Sequence, residues 1–414
     1  MQIKLSRTVP ISLAGTISLC IGAHAETLIP VPAASADAVA RMQDRDVLWA
    51  AAELLALAIP FFFLVTGLGA RLRTLCSRLT GARRFWTLAL FACMYLLFAG
   101  LITLPLDYYR DYVQPHAFGW SHQSAPEWLS GKVVQLLVRL IIAALFIWIP
   151  YRLIAWSPRR WWLYASLALI PVVFMVLVGL PVWVYPLTTS YKPLQDKPLE
   201  VRIEALSARC GVSRIPVYVG GDEDTVIGLG PTNRIILDED IFKTETPDEI
   251  EFTVGHELKH YVQGDNYKAL AIVTGLLLVG FWLADRMGRG LLRRFSQHFG
   301  FSELTDPASV PLFVLILTLF WLAVLPFFNL YTRNYIEHEA DRFGLELTHQ
   351  NRAMGELFSN YITRDHEVAD WDTFFRIFRA THPSNAERIR FANTYHPWVE
   401  GKPLVYGYIC NASP

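Results

Sequence analysis

Six long apolar runs leave this chain few folds to choose from. They lie near 47–67, 86–105, 133–151, 161–185, 268–284 and 309–330. A run of about 18 apolar residues or more is long enough for a helix to cross a bilayer. The run 268–284 is the weakest, being short and ending at Asp285. Aromatic residues at the run ends, such as Trp161, Trp162 and Trp183, suit the membrane–water interface. Charged residues make up 18% of the chain, against about 25% in an ordinary soluble domain. That shortfall argues against six buried helices of a soluble protein. The formal net charge is zero, which offers nucleic acid no basic footprint.

The first 25 residues stand apart. Lys4 and Arg7 form a basic start, residues 8–22 are apolar, and Ala23-His24-Ala25 makes an A-x-A cleavage pattern. A cleaved signal peptide is expected over 1–25, with an uncleaved first span as the other reading. Cys20 does not make it a lipoprotein signal, because Leu19 stands where a small residue belongs.

Lysine and arginine in short loops set the orientation. Loop 71–84 carries Arg71, Arg73, Arg78, Arg83 and Arg84, and loop 152–160 carries Arg152, Arg159 and Arg160. Neither contains an acid. Loop 285–307 adds Arg286, Arg289, Arg293 and Arg294. The segments 26–46 and 106–131 are poor in basic residues and rich in acids such as Asp37, Asp46, Asp107 and Glu127. The basic loops are therefore expected in the cytoplasm, and 187–267 and 331–414 on the opposite side. In a bacterium that means a multi-pass inner-membrane protein with these two segments in the periplasm.

Segment 187–267 reads as a small mixed unit. Residues 213–219 and 233–237 are rich in Val, Ile and Tyr and predict strands, and the Gly-Pro turn between them suggests a hairpin. In TETPDEIEF, Thr246 is a candidate N-cap, Pro247 the first helical residue, and Glu249 completes a capping box. The helix so begun carries H-E-L-K-H. His256 and His260 then share one face, a turn apart, and can reach one ion. Zinc there would acidify a water, and Glu257 is placed to take its proton. On spacing alone, catalysis and a solvent-exposed helix face stand level, since short H-E-x-x-H matches arise by chance.

A third ligand must come from elsewhere, and TRNYIEHEADRFGLELT offers one. Glu337 and Asp341 are one turn apart on this predicted helix. A zinc-bound glutamate, with a carboxylate that holds a ligating histidine by its other nitrogen, is a sound pairing. The alternative is an acidic, solvated helix face built from Glu337, Glu339, Asp341 and Glu346. The two spans between His260 and Glu337 form a helical hairpin that returns both helices to one surface.

At this point the chain resembles the type I CaaX prenyl protease family and its bacterial relatives, integral-membrane zinc metallopeptidases of the gluzincin kind. HELKH is similar to the family's HExxH, and RNYIEHEAD to its arginine, ligand glutamate and Ala-Asp. LPLDYYRDYVQPHAFGWSHQSAPEW, YPLTTSYKPLQDKPLEVRIEAL and THPSNAERI resemble three further family patterns, so nearly the whole chain after residue 25 is covered. The resemblance implies a mainly α, polytopic membrane protein with a small α+β zinc-metallopeptidase domain on one face. It also implies that His382 and Arg388 bind substrate backbone or stabilise the oxyanion. An extended peptide would pair with Val226 to Leu229 or their neighbours by β-augmentation. Glu53 and Arg139, charged residues within spans, either line a chamber below the zinc or snorkel and pair between helices. Two departures fall near the peptide path: Asp224-Thr225-Val226, where the family has Ser/His-Asn-Ala, and Pro115-His116, where an acid is common.

The expected division is 1–25 (signal peptide or first span), 26–186 (four spans), 187–267 (catalytic domain), 268–330 (two-span hairpin) and 331–414 (remainder of the catalytic domain). The expected function is a one-zinc endopeptidase for extended segments of membrane or envelope proteins. Its partners are peptide or protein substrates and the lipid bilayer. The rivals are a CaaX-type peptidase for one lipidated substrate class and a non-catalytic chaperone or scaffold. Of the five cysteines only Cys210 and Cys410 share the non-cytoplasmic side, where a disulfide between them or two free thiols are the alternatives.

Overall fold

The computed structural model describes residues 28–410 apart from 188, 213, 214 and 222. The expected signal peptide, Cys20 included, lies outside them. Among the described residues, six helices are long and apolar enough to cross a membrane: Ala36–Val65, Arg84–Ala117, Ala125–Trp156, Trp161–Leu187, Asp265–Phe299 and Pro307–Thr348. Each takes up one of the apolar runs. Lipid offers no hydrogen bonds, so a helix, which satisfies its own backbone, is the form such runs adopt. The fifth span passes straight through Asp285, where the apolar run stops. That carboxylate is 1% exposed. It accepts from Trp161 Nε1 at 2.7 Å and pairs with Arg289 Nε at 2.8 Å. A buried charge so partnered is tolerated within a span.

The six spans alternate in direction and sort the connections onto two faces. On one face Arg73 pairs with Asp306, and Arg289 donates to the Pro158 carbonyl. On the other, Arg379 pairs with Asp46 at 2.6 Å, and Asn393 exchanges two hydrogen bonds with the backbone of Ile29. The arginine-rich loops therefore share the first face, and the start of the first span joins the polar segments on the second. Apolar layers hold the bundle, with Phe63, Phe91 and Tyr95 in one cluster and Trp161, Leu312 and Ile316 in another. Glu53 is half-buried and Arg139 exposed, and neither has an ion-pair partner among the described residues.

The polar segments form a small α+β unit. Among the described residues its four strands are β1 (Lys192–Pro193), β2 (Val217–Val219), β3 (Thr225–Ile227) and β4 (Arg234–Leu237), in the order β1-β2-β4-β3. The two predicted strands are present, yet they pair in parallel rather than as the arms of a hairpin. The hairpin is β3 with β4, and Gly228 makes its turn possible. At φ +97° a Cβ there would lie 2.4 Å from the Thr232 carbonyl oxygen, which excludes any side chain. β3 is left as an edge strand. Ile235 and Leu237 pack with Leu199, Ile203, Val254 and Leu258 into the core of this unit.

Cys210 and Cys410 are bonded, closing a separation of 200 residues. The tail is held by more than this bond, contrary to what its position near the chain end suggests. Glu346 accepts from the backbone N–H groups of Val405 and Tyr406 at 2.9 and 2.7 Å, and the Tyr406 hydroxyl donates to Glu339. Replacing both cysteines by serine is expected to destabilise this unit by up to about 4 to 5 kcal/mol, the loop-entropy estimate for so long a closure. Protein unfolded without reductant should alkylate at Cys76 and Cys93 but not at Cys210 or Cys410. Free thiols at 210 and 410 in that experiment would remove the bond.

Candidate metal centre

The helix Pro247–Gln263 begins as its sequence predicts. Thr246 caps it, Pro247 follows, and Glu249 closes the capping box by accepting the Thr246 N–H at 2.7 Å. Gly264, at φ +62°, ends it in the left-handed conformation. A second helix, His338–Thr348, crosses it where glycine faces glycine. A Cβ on Gly255 would meet Gly344 Cα at 3.3 Å, and one on Gly344 would meet the His256 backbone nitrogen at 3.1 Å. A side chain at either position would push the neighbouring backbone back by a few tenths of an ångström, so glycine suits the close approach. That approach brings Glu337 and Asp341 against the histidines.

Glu337 ends a π-helical turn, Thr332–Glu337, at the exit of the sixth span. Such turns recur at functional sites because they re-aim one side chain without ending the helix. The Glu337 Oε2 atom lies 3.3 Å from His256 Nε2 and 3.8 Å from His260 Nε2. The two Nε2 atoms are 3.3 Å apart. His256 Nδ1 donates to Asp341 at 2.9 Å and His260 Nδ1 to Asp265 at 2.8 Å. With their Nδ1 protons so committed, both neutral rings aim Nε2 lone pairs at the same point. Glu337 Oε2 is buried there with no hydrogen-bond donor of its own. Three converging electron pairs repel unless a cation lies among them. Zn–N bonds of about 2.0 Å in a tetrahedron give ligand separations of about 3.3 Å. The donor set fits such an ion.

Metal-free, the site charges itself instead. Burial works against a proton on His256, but the carboxylates of Asp341 and Glu337 outweigh it and push its pKa up to about 10. Glu257 stands beside the three, its Oε1 atom 3.9 Å from His256 Nε2 and its side chain buried. His382 Nε2 lies 3.1 Å from Glu337 Oε2. Arg388 Nε lies 3.0 Å from Asp341 Oδ2 as an ion pair, without hydrogen-bond geometry, and its guanidinium covers the Phe358 ring. All seven residues singled out in the sequence therefore meet in one place. His338 and Glu339 turn away from it, the first onto Phe391 and the second onto Tyr406.

Sequence reasoning missed three residues next to them. Asp265 opens the fifth span and accepts from His260, Lys259 and Lys268 together. Lys259 is fully buried, and besides Asp265 its ammonium reaches the Ile336 carbonyl at 2.8 Å, just before Glu337. Asn266 donates to the carbonyls of Val226 and Gly228 and so fixes β3. For Asp265 and Asn266 the signal lay in the string GDN, which follows HELKH after Tyr261-Val262-Gln263 and ends one helix and starts a span.

The centre opens into a cavity of about 710 Å³ lined by Asp224, Val226, Tyr331, Phe358, Tyr361 and His382 among others. Burial pushes the Asp224 carboxyl up to about 7, against the Asp238 backbone N–H that it accepts, and the negative charge of Glu257 adds to the rise. Asp224 belongs to one of the two stretches at which the chain departs from the pattern it resembles.

Residues 193–396 match the family described as Peptidase family M48, and residues 33–190 match the family described as CAAX prenyl protease N-terminal, five membrane helices. Four long spans fill the latter region here, with the short helix Leu68–Leu79 between the first two. A Bacillus subtilis protein called an uncharacterized metalloprotease, YhfN, is 30% identical over 339 residues, 80% of this chain and 79% of that one. The Dictyostelium discoideum CAAX prenyl protease 1 homolog is 24% identical over 69% of this chain and 68% of its own length. The crystal structure of S. mikatae Ste24p has the same fold, with a TM-score of 0.60 over 73% of this chain and 75% of that one at 21% identity. The chain belongs to peptidase family M48, as a multi-pass membrane metalloendopeptidase.

Proposed function

We propose that this chain is a one-zinc endopeptidase that cleaves extended segments of membrane or envelope proteins, in processing or quality control. The observation that carries the reading is the convergence of His256, His260 and Glu337 on one point with Glu257 beside it. His256, His260 and Glu337 would hold the zinc ion. When bound, the ion supplies Lewis acidity, acidifying water and polarising the scissile carbonyl. Glu257 takes the proton of the attacking water and passes it to the leaving amine. Asp341 and Asp265 fix the tautomers of His256 and His260 by their Nδ1 hydrogens. His382 faces the cavity and serves substrate or oxyanion, while Arg388 also holds Asp341 in place.

The substrate binds as a strand on the open edge of β3. Asn266 already occupies the Val226 and Gly228 carbonyls, so the peptide is expected at the Asp224–Val226 end of that edge. The catalytic unit is made of 187–267 and 331–414, with 26–186 and 268–330 as its membrane part. An intact Glu257 disfavours a scaffold, since a purely structural zinc has no use for a base.

The site faces the periplasm of a bacterial inner membrane in this reading. Two observations support it: the arginine-rich loops gather on the far face, and the Cys210–Cys410 bond suits an oxidising compartment. Relatives named CAAX prenyl proteases do not transfer that substrate here, because a prenylated cytosolic tail would lie on the wrong side. Alkaline phosphatase fused after Gly230 is expected to be active, and fused near Arg293 silent. The reverse pattern would restore a cytosolic substrate. Comparing the membrane proteome of wild type with that of a Glu257→Gln strain tests the function. Uncut proteins should accumulate in the mutant, and identical proteomes would refute a processing or quality-control role.

A further inference from the structure

At the membrane face opposite the metal centre lies a second hollow of about 800 Å³. Three arginines line it: Arg84 at the start of the second span, and Arg289 and Arg293 in the last turns of the fifth. The hydroxyl residues Ser296 and Ser302 share the wall, and one carboxylate, Glu303, lines it too and accepts from the Thr305 hydroxyl. Arg289 is partly committed, to Asp285 and to the Pro158 carbonyl. Arg84 and Arg293 are exposed and have no ion-pair or hydrogen-bond partner among the described residues. At 1.5 Å per residue, Arg293 stands about 42 Å along the fifth span from Asp265, far from the peptidase chemistry. The hollow is therefore not an extension of the catalytic cavity.

Its level in the bilayer is marked independently. Trp86, Trp156 and Phe295 are all exposed on the elements that form it, at 57%, 64% and 40%. Exposed aromatic rings at span ends belong to the interfacial belt, where lipid phosphates lie. A concave basic pocket between span ends at that depth has the chemistry of a headgroup site. Guanidiniums recognise phosphate oxygens by paired N–H donors, and two of the three here are free to do so.

We propose that this hollow is a phosphate-binding site whose ligand is the headgroup of an anionic membrane lipid. Arg84 and Arg293 bind the phosphoryl oxygens, Arg289 is held by Asp285 as the fixed wall, and Ser296 and Ser302 supply hydroxyl donors. The acyl chains lie along the apolar surface between the second, third and fifth spans. This inference does not depend on the peptidase reading.

The test uses the full-length protein in vesicles of equimolar phosphatidylglycerol and phosphatidylcholine, extracted mildly and weighed by native mass spectrometry. Wild type is expected to retain phosphatidylglycerol over phosphatidylcholine. Arg84→Gln and Arg293→Gln should each lower that preference by about fivefold, the effect of one basic residue at an anionic surface. Arg78→Gln serves as the control. Arg78 is exposed on the neighbouring short helix and does not line the hollow. A preference that falls equally in the Arg78 variant would reveal only a diffuse surface field and overturn the site. An unchanged preference in the double Arg84/Arg293 variant would do the same. Displacement of the lipid by millimolar inorganic phosphate would name free phosphate as the ligand and overturn the lipid assignment.

Discussion

Glu257→Gln is expected to keep about one zinc ion per chain while peptide hydrolysis falls by about 10² to 10⁴-fold, the usual worth of a positioned general base. The amide has nearly the shape of the carboxylate, so the buried packing around it is retained. It removes no atom of the ligand set, since among the described residues His256, His260 and Glu337 are the group that converges on the ion site. It cannot accept a proton from water, however, and the leaving amine loses its donor. Peptide affinity should hold, because the β3 edge is untouched, so the loss belongs in kcat rather than KM. Metal analysis and a fluorogenic peptide assay on one preparation separate the two effects. Undiminished cleavage by Glu257→Gln would sink the proposed mechanism, and loss of metal along with activity would place Glu257 among the ligands.

Much of this centre is legible in the sequence, and the reason is periodicity. Two histidines and a glutamate inside five helical residues define their own relative positions. Thr246, Pro247 and Glu249 say where the helix starts, and the structure has each in its expected place. The six apolar runs were equally plain, because lipid permits little besides helices. What failed to show was anything fixed by tertiary approach. The parallel pairing of β2 with β4 depends on a crossover through β3, which short strands of mixed pattern do not announce. Asp265 belongs to no motif of the sequence, and its service to His260 appears only once the helix ends at Gly264 and the next begins. Lys259 was hardest to see. A lysine between two ligand histidines reads as the solvent side of the helix, yet the return of the sixth span buries it completely under the Ile336 carbonyl.

Lys259 and the two carboxylates behind the histidines lead to a graded expectation for metal binding. Glu337→Ala or His260→Ala removes an atom that would touch the ion, and both metal content and activity should vanish at ordinary free zinc. Asp341→Asn, Asp265→Asn and Lys259→Met leave all three ligand atoms in place. Each should weaken zinc by about 10 to 100-fold, the range for partners one step removed from a metal. Lys259→Met is the sharpest of these. It fills the same buried volume but frees the Ile336 carbonyl and one acceptor site on Asp265, loosening Glu337 and His260 at once. Zinc affinity should also rise with pH. The metal-free site holds a proton on His256, whose pKa is pushed up to about 10, so below that pH binding must expel it. One proton released per ion gives about tenfold in affinity per pH unit across the neutral range. Competition with a chromogenic chelator at several pH values measures both effects on each variant. Zinc bound by Glu337→Ala as tightly as by wild type would show that the third ligand lies elsewhere. A wild-type affinity for Lys259→Met would show that the buried ammonium only fills space.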